Sequence, residues 1–217
     1  MINFKTYTQA SGKNALRLAK IAERISVQRK VSVAVAPQIA DLFQIANEVK
    51  IPLFAQHIDP IEAGRNTGYI LPENVKAAGA QGTLINHSEH QLSDDKIKNT
   101  VDFARNVGLL SLVCVDTPKK ASQVARFKPD MIAIEPPELI GTGISISKVK
   151  PEIITSGLQA VKEIDPEIIF LCGAGISSGK DAKSSIKLGV KGVLLASGFV
   201  KAKNPSQVLE EIVTALL

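Results

Sequence analysis

The feature that most constrains this chain is a rhythm of short apolar runs separated by stretches of helical spacing. Residues 31–36, 51–55, 82–85, 109–115, 131–134, 168–171 and 190–195 read as strands, and the brief Ile2-Asn3-Phe4 opens the series. Each run is apolar throughout and does not alternate with polar positions. Strands of that kind are covered on both faces, as in a parallel sheet flanked by helices. The intervening segments are amphipathic. Residues 14–27 turn Leu16, Ala19, Ile21, Ala22 and Ile25 to one side, Ser93 stands where an N-cap belongs, and Pro151 suits a first helical turn. Residues 178–188 and 205–216 complete the set. About eight strand–helix units follow in strict order, with no linker and no shift in composition. They predict an α/β fold, a closed (β/α)8 barrel formed by residues 1–217 as a single domain, with a doubly wound sheet as the alternative. For that architecture 217 residues is compact.

Composition narrows the partners. No apolar run approaches the roughly 20 residues of a membrane span, and the opening MINFKTYTQ has no charged-then-apolar targeting pattern, so a cytoplasmic protein with no membrane partner is expected. The net charge of +5 favours an anionic ligand, but the basic residues are dispersed and aromatics make up only 4%, without tryptophan. A small anion fits that distribution and a nucleic acid does not. Cys114 and Cys172 lie inside separate apolar runs and read as buried free thiols.

In such a barrel, chemistry gathers where strands end at the C-terminal mouth. The residues there are Asn3 and Lys5 after the first strand, Gln56-His57 after the third, and Asn86-His87-Ser88-Glu89 after the fourth. Glu135 follows the sixth, Gly173-Ala174-Gly175 the seventh and Ala196-Ser197-Gly198 the eighth. Small residues after the last two strands let backbone N–H groups approach an anion, which points to a phosphate cradle. Lys5 would bring an ammonium into the mouth, and His87 would sit ahead of a short helix that favours the neutral imidazole. In Ala133–Gly143 a carboxylate, Glu135, is followed by the rigid Pro136-Pro137 and the flexible Gly141-Thr142-Gly143, as for a hinged lid carrying Leu139 and Ile140. The irregular stretch from Asp59 to Pro72 is long for a compact domain, and its Thr67-Gly68-Tyr69 tip is suited to entering another subunit.

Taken together, NFK near the start, NHSE, EPPELIGTG, CGAGIS and LLASG resemble the triosephosphate isomerase family in its short archaeal form, with VAPQ and FAQHIDP in support. The resemblance runs over essentially the whole chain, in order, and implies a TIM barrel. It also implies interconversion of D-glyceraldehyde 3-phosphate and dihydroxyacetone phosphate through an enediolate, without cofactor or metal. Carried over by motif, Glu135 is the base, His87 the electrophile and Lys5 the positive charge, while Asn3 orients the substrate. Backbone amides of Ile140, Gly175, Ala196 and Ser197 would hold the phosphate. The partner implied is a small phosphorylated triose. The chain is expected to form a homo-oligomer, dimer or tetramer, through the loop after strand three.

One feature departs from that family. Only Met1 and Ile2 precede Asn3, so a shortened first strand is expected, with weaker closure beside strand eight and looser seating of Asn3 and Lys5. Two other functions remain open. One is a degenerate phosphate-binding barrel serving as a non-catalytic module. The other is a different phosphosugar isomerase or epimerase, although the epimerase type needs paired His and Asp metal ligands and this chain has three histidines.

Overall fold

The computed structural model describes residues 1–136, 147 and 150–217. Among these, eight parallel strands curl into a closed ring: β1 Ile2–Asn3, β2 Val35–Ala36, β3 Phe54–Ala55, β4 Gly82–Ile85, β5 Leu110–Val115, β6 Met131–Ile134, β7 Ile169–Cys172 and β8 Gly192–Val193. Strands β3 to β8 pair in sequence order and β1 pairs with β2; single bridges Val35↔Leu53 and Ile2↔Leu195 join the two sets. The (β/α)8 barrel is therefore closed, and the doubly wound sheet is excluded. Strands β2 and β3 are shorter than their apolar runs because residues such as Val33 and Ile51 are buried without joining the ladder.

The first strand is as short as expected, yet it closes. Asn3 N–H donates to Leu195 O at 2.8 Å and Leu195 N–H to Met1 O at 3.1 Å, while Ile2 and Phe4 donate to Ala34 and Ala36 on the other side. Asn3 and Lys5 are only 4% and 8% exposed, so the looser seating expected of them is not what the structure has.

Helices cover the ring: α1 Lys13–Arg29, α2 Ile39–Ala46, α3 Pro72–Ala77, α4 Asp94–Asn106, α5 Pro118–Ala125, α6 Pro151–Lys162, α7 Gly179–Lys187, α8 Ser197–Val200 and α9 Pro205–Thr214. Local sequence starts them. Ser93 caps α4 by accepting from Lys96 N–H, Pro151 occupies the first turn of α6, and Ser178 with Asp181 forms a capping box on α7. The last helix packs on the first, where Arg29 pairs with Glu210 and Arg24 donates to Ser206 Oγ. None of the described helices is long and apolar enough to cross a membrane.

Two apolar layers follow from the period-two geometry of strands. Ala36, Phe54, Leu84, Leu112, Cys114, Ala133, Leu171 and Leu194 form one cluster that contains no helical residue, and so fill the barrel interior. Their strand neighbours, among them Val35, Val113, Ile132, Ile134 and Phe170, pack outward against helices.

Candidate active site

The same parity places the polar residues. In β6, Ala133 faces inward while Ile132 and Ile134 face outward, so Glu135 falls on the inner face at the mouth. Its N–H extends the ladder by donating to Val115 O at 2.8 Å. In β7, Leu171 faces inward, so Gly173 does as well, beside Glu135. A Cβ on Gly173 would lie 2.3 Å from Glu135 Cγ and 2.4 Å from its Oε1, so the carboxylate occupies the space that a side chain would need. Glu135 is 7% exposed, and among the described residues its Oε2 is buried without a hydrogen-bond partner. Such an oxygen costs stability unless it has other work, and it is chemically available. Cys114 lies nearby on β5. Burial first, and then the Glu135 charge, push its thiol well above the ordinary range.

His87 is aimed from the adjoining wall. Asn86 takes a left-handed backbone (φ 59) and locks it with its own amide, which donates to Cys114 O at 2.9 Å and accepts from Leu92 N–H at 2.8 Å. The expected short helix after His87 is instead a turn, closed by His90 N–H donating to His87 O at 2.7 Å. From this turn the Glu89 N–H donates to His87 Nδ1 at 3.2 Å. An N–H can donate only to a lone pair, so the imidazole is neutral with its proton on Nε2. That nitrogen stands 3.7 Å from Glu135 Oε2, beyond hydrogen-bond distance.

Lys5 is held at three points. Its N–H donates to Asn3 Oδ1 at 2.9 Å, its carbonyl accepts from Gln56 Nε2 at 3.0 Å, and its ammonium pairs with Glu89 at 2.7 Å. These contacts stabilise a left-handed backbone (φ 49) that is unfavourable for lysine. Glu89 was legible only as a letter of NHSE. Its double duty, with an amide on His87 and a carboxylate on Lys5, depends on a contact spanning 84 positions.

Gly175, Ala196 and Ser197 border the same cavity of about 390 Å3 as Asn3, Lys5, His87 and Glu135. The loop after β7 is shaped by successive left-handed residues, Ala174 (φ 64) and Gly175 (φ 71), and rooted by Ser177 and Ser178, which donate to the Asp181 carboxylate. Pro136 is buried; Ile140 and the remainder of the expected lid, residues 137–143, lie outside the described residues. The seven predicted site residues that are described thus meet at one mouth.

The other sequence candidates resolve differently. His57 and His90 stack on one another, with ring centres 4.3 Å apart, and do not border this cavity. Cys172 is buried and free like Cys114, and its thiol is pushed up to about 12, chiefly by burial. Among the described residues no three His, Cys, Asp or Glu side chains are grouped so as to hold a metal ion.

The chain as a whole is similar to known proteins. The family model described as Triosephosphate isomerase matches residues 1–216. Proteins named "Triosephosphate isomerase" from three methanogens align along nearly their whole lengths. The one from Methanobacterium bryantii is 49% identical over 100% of this chain and 96% of its own. That from Methanocaldococcus jannaschii is 47% identical over 98% and 97%, and that from Methanothermus fervidus 46% identical over 100% and 97%. At such identity over such coverage, with the motifs falling on the strand ends that build the mouth, the chain belongs to the triosephosphate isomerase family.

Proposed function

We propose that this chain interconverts D-glyceraldehyde 3-phosphate and dihydroxyacetone phosphate. The observation that carries the reading is the unpartnered Glu135 Oε2 facing the protonated Nε2 of a neutral His87. A carboxylate in that state can take a proton from carbon. A neutral imidazole donates a hydrogen bond to the adjacent carbonyl oxygen without surrendering its proton beforehand.

In this reading the substrate phosphate rests on amides of Gly175, Ala196 and Ser197, with Ile140 as a further contact, and Asn3 orients the triose. Glu135 removes the proton from the carbon beside the carbonyl, and the carbonyl oxygen becomes negative. His87 Nε2–H and the Lys5 ammonium stabilise that charge. Proton transfer between the two oxygens through His87 gives the alternative enediolate, and Glu135 returns a proton to the neighbouring carbon. Atoms and charge balance without an oxidant or a metal. Since Lys5 is fixed by Asn3, Gln56 and Glu89, its charge needs no reorganisation as the reaction proceeds.

A coupled assay tests the reading. The purified chain is expected to convert D-glyceraldehyde 3-phosphate to dihydroxyacetone phosphate at or above about 10 s⁻¹, the middle of the range for enzymes. Absence of turnover at saturating substrate would favour the non-catalytic barrel. We also propose self-association through the loop after β3. Its base is closed by Asp59 and Ile70, and Tyr69 near its tip is 61% exposed.

A further inference from the structure

A second cation borders the cavity of the C-terminal mouth. Lys201 directly follows α8, and its backbone N–H donates to Ser197 O at 3.0 Å, so it is rooted one turn beyond the amides proposed to hold phosphate. Its ammonium lies 4.1 Å from the centre of the Tyr7 ring. That platform is itself fixed: the ring packs on the main apolar core, and Ser11 Oγ donates to Tyr7 O while accepting from Gln38 Nε2. An aromatic face holds an ammonium without neutralising it.

Charge explains why this placement matters. Among the described residues, four formally charged ones border the cavity: Lys5, Glu89, Glu135 and Lys201. Lys5 and Glu89 form a 2.7 Å pair and cancel each other's field at a distance. Among these groups Glu135 is then an uncancelled negative charge, and a triose phosphate enters as a dianion. Lys201 has no carboxylate partner among the described residues, and within that set its charge is the one available to offset Glu135 and meet the phosphate.

We infer that Lys201, seated on the Tyr7 ring, is a substrate-binding residue that draws the phosphate dianion into the mouth and favours phosphorylated over uncharged trioses. The inference rests on the triose phosphate reading above. An exposed charge of this kind acts through a field that falls off with the Debye length, from about 30 Å at 0.01 M salt to about 3 Å at 1 M.

The test compares Lys201→Met with the parent across that salt range. At low salt, kcat/KM for D-glyceraldehyde 3-phosphate is expected to fall about tenfold, with the loss on KM, and the gap is expected to close as salt rises. Lys201→Arg should recover most of the loss, and Tyr7→Leu should show a smaller loss of the same salt dependence. Unphosphorylated glyceraldehyde should show no comparable discrimination between parent and variant. A salt-independent loss, or an equal loss with the uncharged triose, would overturn the inference. Amide NMR titration with inorganic phosphate separates this inference from the reading it builds on. Weaker phosphate binding by Lys201→Met would support the cation's role even in a protein without isomerase activity, and equal binding would reject it even in an active enzyme.

Discussion

Strand β6 carries a carboxylate at each end, and the two could hardly be treated more differently. Asp130, just before Met131, is exposed, and its Oδ2 accepts from both Ser111 N–H (2.7 Å) and Ser111 Oγ (2.8 Å). Glu135, just after Ile134, is buried, and among the described residues its Oε2 has no hydrogen-bond partner. The contrast extends to the two mouths. The N-terminal one holds the larger cavity, about 760 Å3, bordered by apolar residues such as Phe54, Ile169, Leu171 and Val213. The C-terminal cavity is about half that size and is bordered by the buried charged groups Lys5 and Glu135. Cavity volume therefore does not locate the chemistry. Polar groups kept dry and unsatisfied do, because only a compensating function retains them.

The largest expected consequence is at Glu135. Glu135→Gln should lower kcat by about 10³-fold or more while leaving the denaturant midpoint unchanged or raised, since the variant removes an uncompensated buried charge. A variant keeping a tenth of the parent rate would break the contrast between the two carboxylates. Next is Gly173→Ala. Its Cβ cannot share space with the Glu135 side chain, and a carboxylate displaced by about an ångström should cost about 10²-fold in kcat. Circular dichroism would check that the barrel is retained. Asp130→Ala should do the reverse, losing about 1 kcal/mol of stability in urea titration with kcat within about twofold of the parent.

The smallest effect concerns pH. Burial, opposed by the Asp59 contact, holds the His57 pKa below its ordinary 6.5. The unfolded chain therefore binds a proton near pH 6.5 that the folded chain declines, and stability should drop as pH falls through that value. Replacing His57 with Gln should flatten the slope between pH 7 and 5.5; an unchanged slope would assign it to other groups.

Much of this was legible in the sequence because parallel strands and caps have local signatures. The runs at 82–85 and 131–134 matched their strands residue for residue, and Ser93, Pro151 and Ser178 mark helix starts as read. Strand parity then brings Asn3, Lys5 and Glu135 to one mouth. What stayed hidden depends on contacts between distant segments. Gly173 looked like part of a phosphate loop, and only its position beside Glu135 gives it a second task. Glu89 could not be matched to Lys5, nor Lys201 to Tyr7, since neither spacing follows a period. The turn at Ser88–His90 was read as a helix, because a polar stretch after a strand does not reveal which backbone N–H will reach the imidazole.

The central claim is that a carboxylate side chain, and not an internal hydride shift, moves the hydrogen between carbons. Running the isomerisation in deuterated water tests it most directly, with the carbon-bound label in the product read by mass spectrometry or NMR. The account expects most product molecules to carry one deuteron from solvent, since a proton resting on the Glu135 carboxylate exchanges before it is returned. Product formed at full rate with its original hydrogen retained and no solvent label would contradict it.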